Sequence, residues 1–227
     1  MYSDEQKIEI NADSQKQLEA LNIEELYVET ASQLHQIWRN TRLIKDEKGE
    51  PILDKDGNPQ YEDRWKELDP VKHPEDAAYV EMFLSRRLKP NNKVKVVDGK
   101  VSINIAQMGY RELAPSWQQE NRDAAIVAVN FALDNYVYLN DEKFRKVAIE
   151  MLGSAIHALW LSRPANAYAR ETDLGKRYGL LPRDEQLKDN RHIVIATNLV
   201  NYMVKEKNLT AVISAIDKIN KPTGPKQ

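Results

Sequence analysis

At 227 residues the chain is long for one average domain and short for two, since a domain takes about 100–200 residues. A composition of 41% hydrophobic and 30% charged residues with eight glycines excludes collagen-like, low-complexity and largely disordered classes. Lys and Arg number 33 against 35 Asp and Glu, so no broad positive field draws nucleic acid or an anionic membrane, and the lack of Cys excludes disulfides, thiolate zinc and a cysteine nucleophile.

Residues 1–22 are polar with scattered Ile8, Ile10, Leu18 and Leu21, and read as an arm laid on the body. This start lacks the basic and apolar regions of a secretion signal, and no later run is long enough to span a bilayer, so a cytoplasmic protein is expected. Apolar residues at three- and four-residue steps predict a helix over 23–44. A hairpin is expected at Asp56-Gly57, a helix over 74–89 introduced by Pro74, and a second hairpin at Asp98-Gly99, the strongest turn signal in the chain. Helices are predicted over 115–139, 141–162, 183–206 and 210–219, with a loose tail over 221–227. The fold class is mainly α with a small hairpin-bearing insert.

An internal duplication organises these elements. Residues 31–38, ASQLHQIW, align without a gap to 153–160, GSAIHALW, and both His and Trp occur only four times in the chain. Downstream, YRELAPSWQQENRDAAIV answers YGLLPRDEQLKDNRHIVI. Letter matching pairs Tyr110 with Tyr178, Leu113 with Leu181, Pro115 with Pro182, Glu120 with Asp189 and Asn121-Arg122 with Asn190-Arg191, the spacing drifting at the proline. The first repeat then covers 23–140, with an insert at about 45–105, and the second covers 141–220. Two copies are fewer than a solenoid needs, so a closed pair about a pseudo-two-fold axis is expected.

These units, HQIWRNTR and HALWLSRP with their Tyr-x-x-Leu partners, resemble the ryanodine-receptor repeat family, found in pairs and also in bacterial and phage proteins. The resemblance implies a ligand-binding module with both tryptophans facing a shared cleft, a nucleotide as ligand, and a sensor or sequestering role in signalling. The second connector, ANAYARETDLGKR, lacks the family's Trp-x-x-Gly unit, and the first is replaced by the insert.

Trp38 and Trp160 either stack a base or anchor their helices in the core, and the sequence leaves both readings open. Arg39, Arg42 and Arg163 follow the tryptophans, where guanidinium groups can pair with phosphate. His35 and His157, on nearly the same helix face, are either satisfied structural residues or ligand hydrogen-bonders. Tyr110 and Tyr178 close the helix starts or donate to phosphate, and Asn121, Arg122, Asn190 and Arg191 reach either a carboxylate or the cleft. Asp54 and Asp56 do not fit a calcium loop, and no phosphate-binding glycine loop or catalytic motif is found. The expectation is a non-enzymatic small-ligand-binding protein without metal or cofactor. The other reading is an accessory protein whose repeats only form a core, with the insert contacting a protein partner or a second copy.

Overall fold

The computed structural model describes residues 23–162 and 164–206, the side chains of 164–167 and 206 excepted. The arm at 1–22, the helix at 210–219, the tail at 221–227 and Arg163 lie outside the described residues. The fold is mainly helical with one small antiparallel sheet. Among the described residues six α-helices run in the order α1 Ile23–Asn40, α2 Ala77–Leu84, α3 Pro115–Asp134, α4 Tyr136–Asn140, α5 Arg145–Ser162 and α6 Arg183–Glu206. The strands are β1 Trp65–Glu67, β2 Val94–Val97 and β3 Lys100–Asn104 in the order β1-β3-β2. No described helix is long and apolar enough to cross a membrane.

Helix α1 ends four residues earlier than its apolar period, because the chain after Asn40 is taken up by pairing with 59–62. Glu62 N donates to Arg42 O at 2.8 Å, Ile44 N donates to Gln60 O at 3.0 Å, and Thr41 Oγ1 closes the helix end on Trp38 O at 2.7 Å. The Asp56-Gly57 segment turns back as expected, with Gly57 at φ +82° and Asp54 Oδ1 accepting from Asp56 N and Asn58 N. It forms isolated bridges and no named strand. Pro51 and Pro59 sit at non-hydrogen-bonded pairs, the bonds being carried by flanking residues such as Ile52 N to Ile44 O and Gln60 N to Ile52 O, so their missing N–H groups leave this pairing intact.

At Asp98-Gly99 both residues have positive φ, +49° and +74°, the pair a tight two-residue hairpin requires, and Val97 pairs with Lys100. The third strand, β1, was not foreseen. It is held on β3 by buried Asn104, which accepts from Arg64 N at 2.9 Å and donates to Asp63 Oδ1 at 2.6 Å. The helix expected over 74–89 is a short 3-10 turn and α2, ending where Arg86 turns left-handed and Leu88 N returns to Met82 O. The helix expected over 115–139 is broken at Asn135, whose side-chain amide takes the carbonyl of Phe131. Helix α6 runs over the predicted residues.

Two compact units result, Val28–Ala125 and the residues on either side of it. In the first, Val94, Val101 and Ile103 from the sheet pack with Phe83, Met108 and Leu113, and Leu34, Trp38 and Trp117 lie against them. In the second, Leu26, Val129, Leu139, Ile193 and Val200 form the core.

Candidate functional site

Each unit contains one copy of the same arrangement. On α1 the His35 imidazole is 4% exposed, its Nε2 lies 3.0 Å from Met108 O, and its ring stacks 5.7 Å from the Trp38 indole at 20°. On α5 the His157 imidazole is 6% exposed, its Nε2 lies 3.0 Å from Leu174 O, and its ring stacks 6.0 Å from Trp160 at 27°. Downstream, the Tyr110 hydroxyl donates to Gln118 O at 3.4 Å, and Gln118 Nε2 donates to Leu113 O at 2.8 Å. The Tyr178 hydroxyl donates to Gln186 O at 3.3 Å, and Gln186 Nε2 donates to Leu181 O at 2.9 Å.

This geometry fixes the register between the copies. Tyr110, Leu113 and Gln118 answer Tyr178, Leu181 and Gln186 at identical spacing, with a 3-10 turn and an extended leucine before the helix in both. There is no gap at the proline. Pro115 therefore answers Arg183, Asn121 answers Asp189, and Arg122 answers Asn190, one residue away from the pairing that the shared Asn-Arg letters suggest.

The corrected register exposes an asymmetry. His157 Nδ1 lies 3.2 Å from Asp189 Oδ2, with the side chains 7% and 16% exposed. Both imidazole nitrogens thus face oxygen, and one proton lies between Nδ1 and the carboxyl whichever group formally carries it. Burial pushes the Asp189 carboxyl up to about 6, against the pull of His157. In the first copy the corresponding Asn121 donates to Trp117 O at 2.8 Å. His35 there has its pKa lowered by burial, the Met108 hydrogen bond opposing this and Arg39 adding to it, and the neutral ring donates from Nε2. Asn190, 5% exposed, accepts from the Tyr178 hydroxyl at 2.5 Å, and this pair sits so close over Gly153 that a Cβ there would lie 2.1 Å from Asn190 Oδ1. Fully buried Ala31 stands at the equivalent position of the first copy.

Charge is arranged the opposite way around the tryptophans. The Arg42 guanidinium lies 5.8 Å from the Trp38 ring centroid, and that of Arg39 lies 4.3 Å from the ring of Tyr61. Arg39 Nε donates to Ala106 O and Nη1 to Gln36 Oε1. Among the described residues neither arginine has a carboxylate within ion-pair distance, and Arg42 Nε is buried with no acceptor. The second copy has Leu161 and Pro164 at these positions. Its own concavity is a groove of about 660 Å³ lined by Val147, Glu150, Met151, Ser154, Tyr178, Gly179 and Gln186, where the one charged lining group is a carboxylate. That carboxylate, Glu150, lies 3.6 Å from Arg183 Nη1, so its charge is already paired.

Of the residues singled out from the sequence, His35, Trp38, Arg42 and Tyr110 come together in the first unit, and His157, Trp160, Tyr178 and Asn190 in the second. Burial takes both histidines, Tyr110 and Asn190 out of direct ligand reach and makes them supports. Asn121 is spent within its own helix, Arg122 is half-buried with its charge felt at Tyr110, and Arg191 is exposed on α6. Reading by letters missed Gln118, Gln186, Gly153 and Tyr61. The tyrosine-to-glutamine spacing, the same in both copies, was the available signal for the first two. No family model, curated protein or solved structure matches the chain.

Proposed function

We propose that the chain is a non-enzymatic small-ligand-binding protein, built from two ryanodine-receptor-repeat-like copies and taking a nucleotide or similar aromatic anion at the first. The observation that supports this reading is the half-buried Trp38 indole with the Arg42 guanidinium 5.8 Å from its ring centroid, in a nearly neutral chain where neither Arg42 nor the neighbouring Arg39, which lies over Tyr61, has a carboxylate within ion-pair distance among the described residues. In folded proteins such guanidinium groups gain most from bidentate pairing with phosphate or carboxylate. Stacking of a base on an aromatic face adds about 1–3 kcal/mol. The second copy, with Leu161 and Pro164 in place of the arginines and its buried charge already paired, serves as scaffold.

Isothermal titration against linear and cyclic nucleotides tests the reading. Binding of one equivalent per chain, lost in Arg39→Ala/Arg42→Ala and retained in Arg183→Ala, is the expected result. Absence of binding across the panel removes it.

A further inference from the structure

We infer that Arg42 is a displaceable cover on Trp38, drawn off the indole by the anionic part of a ligand whose aromatic part then takes the uncovered face. The inference rests on the preceding reading for the ligand's identity, but its physical basis is separate. A guanidinium over an indole gains modestly from the ring's negative face. The same placement buries Arg42 Nε without an acceptor, so the covered state leaves a strong donor unsatisfied. An anion offers that Nε–H, together with a neighbouring Nη–H, the two-pronged partner it lacks, and the pairing requires the group to turn away from the ring.

The surroundings favour movement of this group over its neighbours. Arg39 is anchored by two hydrogen bonds and by Tyr61, which is itself buried and accepts from Gln36. His35 is fixed by Met108 O and stays stacked on Trp38. Arg42 lies two residues beyond the end of α1 and is held at its backbone by Glu62 N, with no hydrogen bond or ion pair from its guanidinium among the described residues. One cation is therefore fixed and one is free to swing. The ligand class that follows is a single molecule carrying both an anion and a flat ring. Phosphate alone would open the cover without filling the space, and a nucleoside would have to displace the cation with nothing to offer it.

Acrylamide quenching of Trp38, isolated as the difference between each protein and its Trp38→Phe counterpart, tests the cover. In the unliganded protein Trp38 is expected to be poorly quenched, and Arg42→Ala to raise its quenching about twofold or more, as an uncovered ring face requires. Inorganic phosphate at tens of millimolar, against chloride at equal ionic strength, is expected to raise Trp38 quenching in the wild type and not in Arg42→Ala. A nucleoside monophosphate is expected to bind the wild type at least about tenfold more tightly than its nucleoside, a preference that collapses in Arg42→Ala, where the nucleoside gains affinity. Unchanged Trp38 quenching in Arg42→Ala, or an unchanged nucleotide-to-nucleoside ratio, overturns the cover. Should no nucleotide bind while phosphate and Arg42→Ala both uncover Trp38, the cover stands and the nucleotide reading of the preceding section falls.

Discussion

The two copies share a frame and differ in where they keep their charge. Both stack a buried histidine on a tryptophan and close the following turn with a tyrosine and a glutamine. In the second copy an acid on α6 is folded inward against His157, and Leu161 and Pro164 stand in the sequence where the first copy has Arg39 and Arg42. In the first copy the position of that acid is an asparagine, the histidine is neutral, and Arg42 at the indole and Arg39 over Tyr61 have no carboxylate within ion-pair distance among the described residues. A charge satisfied inside the frame is unavailable to a ligand. On the proposed reading the duplication has one member that binds and one that holds, although letter identity is highest at the residues they share.

The largest effect that would break this comparison is removal of the histidines. His157→Ala removes the main pull that opposes burial at Asp189, so the carboxyl is pushed further up and a largely buried acid is left without its partner, and breaking a buried pair in this way costs about 3–5 kcal/mol. His35→Ala strands only a carbonyl and leaves a cavity, so its cost in urea denaturation is expected to be smaller by at least about 1 kcal/mol. Equal losses would mean that the His157–Asp189 pair carries no special charge burden.

A smaller effect depends on pH. In the folded chain burial raises the Asp189 carboxyl to about 6 from an ordinary value of 3.8, so between these values the folded form keeps a proton that the unfolded form has lost. The stability this contributes is complete below the unfolded value and is lost as pH rises through the folded one. Asp189→Asn, which installs the residue found in the first copy, has no such dependence. Its stability relative to wild type should rise between pH 4 and pH 7, by something of the order of 1–2 kcal/mol. Denaturation midpoints at several pH values measure it, and a constant difference would show that Asp189 does not hold the proton.

How much of this was legible depended on whether local spacing carried the signal. His-x-x-Trp on a helix, repeated, placed both rings on one face, and Asp98-Gly99 between β-branched runs specified its hairpin. The Asn-Arg letters misled because side-chain identity drifts between copies while backbone spacing does not. A 3-10 turn followed by an extended leucine has a fixed length, and that length sets the register. The status of Arg42 was illegible for another reason. Its isolation depends on Leu43 pairing with Tyr61, which ends α1 early and lifts the arginine out of the helix. No periodicity within residues 23–44 announces a partner from beyond two turns.

The finest test of the comparison lies at the tyrosines. Tyr178 and Tyr110 occupy equivalent turns, and burial raises the pKa of both phenols. Yet the Tyr178 hydroxyl donates to Asn190 at 2.5 Å, whereas Tyr110 has only the 3.4 Å contact with Gln118 O and the Arg122 charge nearby. Tyr178→Phe leaves the carbonyl of a 5%-exposed asparagine without its short donor, and an unsatisfied buried acceptor costs about 1–3 kcal/mol. Tyr110→Phe removes a long bond to a backbone carbonyl, an exchange expected near zero and at most about 0.5 kcal/mol. The small residue at 153 follows from the same bond, since only glycine leaves Asn190 the room to reach Tyr178. If the two tyrosine variants lose equal stability, the second copy's polar interior is no more committed than the first's, and the division between a holding copy and a binding copy loses its structural basis.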